Sequence, residues 1–287
     1  MTDLINKENV IISLLNRLLR YRLYRLGFQS KFLALELCRL HFFQRLYQNP
    51  SQHLIFFHGL GTSSITWTNI LRLLPSTYTI TCVDVPGFGF SKITSGDHFL
   101  LMNQIISQLD RFILSIQSTP LTLIGHSFGG WIATRLAINH PKLIKRLILI
   151  NNAGIRYLGI EQEAKAFMVQ TKEDVRRLLH LMWYKYPFYF KPFTGSIFQS
   201  LRKKKVSEFV SSIEENDLLN KDFTSLQMPI DVIWGQEDRL ISAESLKVMK
   251  QLLPGINIHT LPKCGHVPQL EKPRELALHL NSILSNS

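Results

Sequence analysis

The chain has 287 residues, of which 45% are hydrophobic and 19% charged, a composition typical of a globular protein and not of a disordered one. Its formal net charge of +12 would suit an anionic membrane surface, acidic substrates or nucleic acid, but no nucleic-acid-binding module is readable, so we expect no nucleic-acid partner. The three cysteines are too few and too far apart for a disulfide framework.

The first 30 residues form a basic, amphipathic segment. The apolar stretch 10–28 is interrupted by Arg17, Arg20, Arg22 and Arg25, so it cannot cross a bilayer as a transmembrane helix, and no signal-peptide cleavage site follows it. As a helix, the segment places on one side Ile11, Leu14, Leu15, Leu18, Leu19 and Leu26. Two interpretations remain open: a surface helix docked on the body of the protein, or an interfacial helix with its arginines among phospholipid headgroups.

Residues 31–154 alternate between predicted strands and helices. The expected strands are two short ones within 32–47 and buried ones at 54–57, 78–85, 121–124 and 147–150. The expected helices include one from Ser63 or Ser64 to about Leu74 and one over about 99–116. This alternation predicts an α/β fold with a mostly parallel, doubly wound sheet that is buried on both faces.

The most specific motif is Gly125-His126-Ser127-Phe128-Gly129, which lies between the strand 121–124 and a helical pattern that begins near Trp131. Strand, Gly-x-Ser-x-Gly and helix in this order are typical of a nucleophile elbow. The two glycines allow a sharp turn. The turn would present the Ser127 hydroxyl at the N-terminus of a helix, whose dipole favours a developing negative charge.

The alternation of predicted strands and helices stops at residue 155 and resumes after residue 225. The intervening residues 155–225 have helical patterns and are expected to form a cap, or lid, over the carboxyl ends of the strands, where ligands bind in open α/β sheets. The alternation continues with a strand at 231–234 and ends with a helix over about 273–284. The predicted core therefore comprises residues 31–154 and 226–287.

An acid and a histidine follow Ser127 in sequence. Asp238 comes after the predicted strand 231–234, and His266 lies in a loop after the predicted strand 256–261. Because the carboxyl ends of parallel strands meet at one edge of a sheet, Ser127, Asp238 and His266 are candidates for a catalytic triad.

Other residues remain alternatives for these roles. Glu237 is the nearest alternative acid, and Asp238 and His266 are each open to a purely structural interpretation. His58 and His126 are interpreted as architectural. Asn151 and Asn152 directly follow the predicted strand 147–150 and so exclude an acid at its end.

From about Phe32 to the C-terminus, the chain resembles the α/β-hydrolases. The resemblance is carried by four separated motifs: His58-Gly59-Leu60-Gly61, the loop Asp84–Ser91, the elbow, and the pair Asp238 and His266. In that family the position of Asp84 belongs to a structural loop. The ordered set of motifs is far more specific than the five-residue elbow alone.

The resemblance implies acyl-transfer chemistry at Ser127. His266 would take the proton of the Ser127 hydroxyl, and Asp238 would orient the imidazole. The backbone N–H groups of Leu60 and Phe128 would form the oxyanion hole. No cluster of Cys, His and Asp has the spacing of metal ligands, so we expect no metal and no cofactor.

The features that indicate the substrate are less specific than these motifs. A serine at the elbow argues against the dehalogenase and epoxide hydrolase branches, which use aspartate there. The cap is rich in aromatic and aliphatic residues and carries twelve Lys or Arg against nine Asp or Glu, while residues 1–47 carry eight against three. An apolar lid, a basic surface and an amphipathic N-terminus indicate an enzyme that works at an anionic lipid surface.

The stretch Asn152-Ala153-Gly154-Ile155 and the N-terminal extension resemble the membrane-associated monoacylglycerol lipase branch. In those relatives a hydrophobic N-terminal segment anchors the enzyme, whereas here the arginines favour peripheral binding. We expect a cytoplasmic serine esterase or lipase, peripheral at the membrane, that hydrolyses medium- or long-chain acyl esters such as monoacylglycerols or lysolipids through an acyl-enzyme. The alternatives are a carbon–carbon bond hydrolase with the same triad and a non-catalytic hydrolase-fold binding protein. The sequence gives no signal for an oligomeric state.

Overall fold

A mostly parallel sheet organises the molecule. The structure, a computed structural model, describes residues 2–116 and 120–285, and it describes the side chains of these residues apart from 2–12 and 189–190. Within these ranges, nine strands form the sheet: β1 (Gln29–Ala34), β2 (Cys38–Arg45), β3 (His53–Phe57), β4 (Thr79–Val83), β5 (Lys92–Ile93), β6 (Leu121–His126), β7 (Ile144–Ile150), β8 (Ile230–Gly235) and β9 (Asn257–Leu261).

Helices cover the sheet and fill the connections. The α-helices are α1 (Thr2–Arg25), α2 (Thr68–Leu71), α3 (Met102–Leu114), α4 (Phe128–Asn139), α5 (Glu161–Ala166), α6 (Lys172–Met182), α7 (Thr194–Lys203), α8 (Val206–Ser211), α9 (Asn220–Phe223), α10 (Ala243–Leu252), α11 (Pro268–Glu271) and α12 (Pro273–Ser285). The described residues also form 3₁₀ helices at Ser64–Trp67, Phe188–Phe193 and Glu215–Asp217.

The strand order is β1-β2-β4-β3-β6-β7-β8-β9, and β5 pairs with β2. The pairs from β4 through β3 to β9 are parallel, whereas β2 is antiparallel to β1, β4 and β5. The predicted α/β class with a mostly parallel sheet is therefore confirmed. Helices α5–α9 occupy the connection between β7 and β8, in the stretch predicted as a cap; the boundaries of the cap stay a prediction.

The central strands β3, β4, β6 and β8 are buried on both faces, as is typical of parallel strands. Successive residues of β3 point into two different apolar clusters: Ile55 and Phe57 pack on one face, Leu54 and Phe56 on the other. The first cluster continues into α3, α4 and the cap helices, and the second into α2, α12 and the end of α1.

Two local predictions differ from the structure. The single helix expected from Ser63 or Ser64 to about Leu74 is a 3₁₀ turn followed by the one-turn helix α2. The Thr66 and Thr68 hydroxyls donate to the carbonyls of Ser63 and Ile65, three residues earlier, and such bonds compete with a regular helix. Strand β5 is only two residues long, too short for a readable pattern.

Helix α1 docks through its C-terminal half. Leu23 is fully buried in the second cluster, with Leu19 and Leu26 partly buried beside it, while Leu14 and Leu18 are 65% and 45% exposed. The side chain of Ile11, predicted on the same apolar side, lies outside the described residues. Among the helices that the structure describes, none is both long and apolar enough to cross a membrane.

Candidate active site

Ser127 lies at a strained turn between β6 and α4. Its backbone has φ 54° and ψ −120°, a combination that non-glycine residues rarely adopt and that the surrounding structure must enforce. A Cβ on Gly125 would lie 2.2 Å from the Gly129 carbonyl oxygen, and one on Gly129 would lie 2.2 Å from that of Phe57. The two glycines of the motif are therefore required by close backbone packing around the serine.

The structure brings Ser127, His266 and Asp238 together in one hydrogen-bonded chain. The Ser127 Oγ lies 2.9 Å from His266 Nε2, and His266 Nδ1 lies 2.7 Å from Asp238 Oδ2. The side chains of His266 and Asp238 are buried, and Ser127 is only 6% exposed. With Nδ1 donating to the carboxylate, Nε2 is free to accept the serine proton.

The Asp238 carboxylate is held by three further donors. Its Oδ1 accepts the N–H groups of Leu240 at 2.9 Å and Ile241 at 3.0 Å, and its Oδ2 accepts Asn151 Nδ2 at 2.7 Å. Sequence reasoning missed this role of Asn151. The available signal was its place directly after β7, at the sheet edge that also carries Ser127 and Asp238.

The carboxylates of Glu237, the alternative acid, and of Asp84 bind partners other than His266. The Glu237 carboxylate accepts the N–H of Cys264 at 2.8 Å and so shapes the loop before His266. Asp84 lies behind the site and accepts His41 Nδ1 at 2.8 Å and the N–H of Ser64 at 2.7 Å. Burial pushes the pKa of Asp84 upward, but these hydrogen bonds and the nearby His58 outweigh it and leave the pKa below its ordinary value.

The oxyanion turn, defined as Gly59–Thr62, presents Leu60 beside Ser127. The Thr62 N–H donates to the Gly59 carbonyl at 3.2 Å, and Gly61 has φ +75°, as the third position of a type II turn requires. Leu60, Phe128 and Ser127 border the same cavity. In the described part of the chain, the N–H groups of Leu60 and Phe128 have no protein acceptor, so both can donate to a ligand.

His58 and His126 hold the backbone around these groups. The His58 Nδ1 donates to the Gly59 carbonyl at 2.9 Å, and its Nε2 accepts the Val85 N–H at 3.0 Å. His126 Nε2 donates to the carbonyl of His266 at 2.7 Å. Burial lowers the pKa of His58 to about 4 and that of His126 to about 3, so both rings are neutral near pH 7.

Two cavities meet at Ser127. The smaller, of about 270 Å³, is mostly apolar, and its walls include Trp131, Ile160, Ala164, Phe167, Phe209, Val210, Ile213, Leu218 and Ile241. The larger, of about 580 Å³, borders His266 and is also lined by Leu178, Leu179, Met182, Trp183, Ile197, Gln199, Ser200 and Lys203.

One carboxyl group lines the smaller cavity close to the hydrogen-bonded chain. Glu163 accepts a hydrogen bond from the Tyr157 hydroxyl. Burial raises the pKa of Glu163 to about 8, with a further contribution from the charge of Asp238. The group is therefore mostly protonated at pH 7. Among the described residues, no group of three His, Cys, Asp or Glu side chains is placed to hold a metal ion.

Comparison with known proteins gives consistent matches. The family model described as "Alpha/beta hydrolase family" matches residues 54–278. A monoacylglycerol lipase of Xenopus laevis is 25% identical over 260 residues, which cover 81% of this chain and 75% of the relative. Lipase 1 of Psychrobacter immobilis is 27% identical over 243 residues, 78% of this chain and 74% of the relative.

Solved structures share the fold over almost the whole chain. A bacterial membrane phospholipase A superposes with a TM-score of 0.81 at 24% identity, covering 97% of this chain and 92% of that one.

Proposed function

The chain belongs to the alpha/beta hydrolase family, and on that premise we propose that it is a serine hydrolase that cleaves acyl esters of lipids. The observation that carries this proposal is the buried chain Ser127–His266–Asp238, which lies where two largely apolar cavities meet. The sequence relatives described above are lipases, which favours ester hydrolysis over carbon–carbon bond cleavage or a non-catalytic binding role.

The proposed reaction uses these residues in two steps. The Ser127 Oγ attacks the ester carbonyl while His266 Nε2 takes its proton, and Asp238 stabilises the resulting imidazolium. The oxyanion accepts the N–H groups of Leu60 and Phe128, each contributing about 2.7–4 kcal/mol. His266 then protonates the leaving alcohol, and a water molecule activated by His266 hydrolyses the acyl-enzyme.

The position of His266 orients the substrate. The leaving oxygen must lie near His266 Nε2, and the larger cavity is the one that borders this histidine. The acyl chain then enters the smaller cavity of about 270 Å³. If a methylene takes about the volume of a liquid water molecule, ~30 Å³, this space holds roughly nine carbons. We therefore propose a medium-chain acyl group.

The larger cavity suits the alcohol part of a monoacylglycerol-like or lysolipid-like ester. Its apolar walls are interrupted by the polar side chains of Gln199, Ser200 and Lys203. These can bind hydroxyl or phosphate oxygens, and the cavity volume of about 580 Å³ admits an alcohol larger than glycerol.

Helix α1 supports work at a membrane surface. Leu14, Leu15 and Leu18 are exposed on the same helix as the exposed Arg17 and Arg22, a combination that suits peripheral binding to anionic lipid. The helix packs against α7, whose residues Ile197 and Ser200 line the larger cavity. A docked α1 would therefore hold this cavity close to the lipid that supplies the substrate.

A chain-length series tests the proposal. We expect kcat/KM on p-nitrophenyl esters and on monoacylglycerols to peak at roughly eight to ten acyl carbons. Because the serine is the nucleophile, the Ser127→Ala variant should lose about 10⁴-fold or more in kcat. Equal hydrolysis by this variant, or no hydrolysis of any ester by the folded wild-type protein, would refute the proposed function.

A further inference from the structure

Lys204 differs from its basic neighbours because its ammonium turns into the protein. It directly follows α7, in the run Arg202–Lys205. Its Nζ donates to the Gly61 carbonyl at 2.9 Å and lies 3.4 Å from the Thr62 carbonyl. Arg202 and Lys203 are exposed, and Lys205 pairs with Glu208 at the surface.

The setting of the ammonium is apolar. It lies 5.9 Å from the centre of the Phe88 ring, and burial lowers the pKa of Lys204 to about 8, although Asp84 acts in the opposite direction. No carboxylate of the described residues forms an ion pair with it. Because burial of an unpaired ammonium is costly, the two carbonyls are the partners that make this position tenable.

Both carbonyls belong to the oxyanion turn. One end of the turn is fixed from the core, since the Gly59 carbonyl accepts the His58 ring N–H and the Thr62 hydroxyl at 2.9 Å and 2.7 Å. The other end is held from the cap by Lys204. The cap also closes on the turn sterically, because a Cβ on Gly61 would lie 2.8 Å from the Leu201 side chain.

We propose that Lys204 is a positioning residue, which holds the oxyanion turn so that the Leu60 N–H points at the reacting carbonyl. This inference rests on the proposed function, because Leu60 matters only if an oxyanion forms at Ser127. If so, the cap takes part in the catalytic geometry. Besides walls of the smaller cavity, it supplies one of the two supports of the oxyanion turn.

The test replaces Lys204 by methionine and uses Lys205→Met as the matched control. The two variants remove the same charge at neighbouring positions, but only Lys204 touches the turn. Active sites are titrated with an alkyl fluorophosphonate, and kcat and KM on p-nitrophenyl octanoate are expressed per titrated site. Inhibition by an alkylboronic acid, which forms a tetrahedral adduct with the serine, reports on the oxyanion hole directly.

We expect Lys204→Met to lower kcat per site by about 10- to 100-fold, because a donor displaced by an ångström loses most of its effect. KM should change little, the boronic acid should bind more weakly by a similar factor, and Lys205→Met should match the wild type. If Lys204→Met yields no titratable sites, the same comparison is made with Lys204→Gln, whose amide is too short to reach both carbonyls.

The inference is overturned if Lys204→Met has the same kcat per site and the same boronic acid affinity as Lys205→Met. It is also overturned if Lys204→Met lowers the number of active sites and leaves both of these values unchanged. That result would leave Lys204 as a purely structural residue. A failure of the proposed function looks different: the wild-type protein itself would then neither hydrolyse the ester nor react with the fluorophosphonate.

Discussion

At the residue scale, His58 and His126 hold the backbone on the two sides of Ser127. Each uses one ring nitrogen as a donor to a carbonyl, that of Gly59 for His58 and that of His266 for His126. Burial lowers the pKa of both rings, to about 4 and about 3. The unfolded chain, in contrast, takes up these protons near pH 6.5, so both rings link folding stability to pH.

The sign of this linkage follows from proton uptake. Between pH 6.5 and about 4 the unfolded state binds protons that the native state does not, so the free energy of unfolding decreases as the pH falls through this window. From pH 7.5 to 5, each histidine should contribute a loss of about 2 kcal/mol. Glu163, whose pKa is raised to about 8, acts in the opposite direction, so the wild-type protein shows only the net effect.

A variant isolates the histidine contribution. The amide of His126→Gln can still donate to the His266 carbonyl but does not titrate. The drop in unfolding free energy between pH 7.5 and 5, measured by urea denaturation, should therefore be about 2 kcal/mol smaller in this variant than in the wild type. The exposed His180→Gln serves as control. An unchanged pH dependence in His126→Gln would contradict the buried, neutral state of this ring.

Some site residues could be predicted from the sequence, and others could not. Ser127, Asp238 and His266 each follow a parallel strand, β6, β8 and β9 respectively. Because the carboxyl ends of parallel strands meet at one edge of the sheet, the proximity of the three residues is a consequence of topology. Their catalytic roles stay predictions. Lys204 could not be singled out, because which side chain of a basic run turns inward depends on where α7 ends and how it packs. Glu163 was missed for the same reason.

At the element scale, helices α5 and α8 shape the smaller of the two cavities. Helix α5 supplies Ala164 and Glu163, and α8 supplies Phe209 and Val210. The ring of Phe209 packs edge-on against Phe128 with 5.1 Å between the centroids, so α8 contacts the residue that follows Ser127. Helical periodicity indicates such helices in a sequence, but it does not give the volume that they enclose.

Filling this cavity should shorten the preferred acyl chain. Ala164→Trp places a large side chain in a space of about 270 Å³, so we expect the optimum to move from roughly eight to ten carbons to four or fewer, with butyrate esters still hydrolysed. Ile197→Trp, in the larger cavity, is the reciprocal variant and should alter the preference for the alcohol only. A chain-length profile unchanged by Ala164→Trp, or shifted by Ile197→Trp instead, would reverse the assignment of the cavities.

Helix α1 combines a docked half and an exposed half. Removal of the whole helix would expose the core around the fully buried Leu23. A loss of membrane binding could then not be distinguished from a loss of folding stability. Substitution of Leu14, Leu15 and Leu18, which are 65%, 47% and 45% exposed, avoids this problem because these side chains contribute little to the folded core.

We expect the triple variant Leu14→Gln, Leu15→Gln, Leu18→Gln to bind anionic phosphatidylglycerol vesicles at least about 10-fold more weakly, since each leucine loses apolar area buried in the interface. Its activity on a short, water-soluble ester should not change. Leu278→Gln, at a 69% exposed position of α12, is the control. Vesicle sedimentation equal to wild type in the triple variant would show that α1 is only a structural helix.

At the scale of the whole molecule, the central strands of the sheet were more predictable than its edge strands. The central strands contain continuous, buried apolar runs, for example residues 54–57 in β3 and 147–150 in β7. The edges carry weaker signals: β5 has only two residues, and β9 is largely exposed. The antiparallel pairing of β2 with β4 depends on contacts between distant residues, which periodicity does not report.

The fold joins two separate supports for catalysis in one molecule. The core fixes Ser127, His266 and Asp238 through the strand ends, and the cap supplies the cavities and the Lys204 contact to the oxyanion turn. Both parts can serve catalysis only if an acyl group is transferred to Ser127.

The most direct test is to observe that acyl group. The wild-type protein is mixed rapidly with p-nitrophenyl octanoate, the release of p-nitrophenol is followed, and the acid-quenched protein is analysed by peptide mass spectrometry. We expect a burst of about one equivalent, an octanoyl adduct on the peptide that contains Ser127, and neither signal in Ser127→Ala. An adduct on another residue, or turnover by Ser127→Ala at the wild-type rate, would contradict the account.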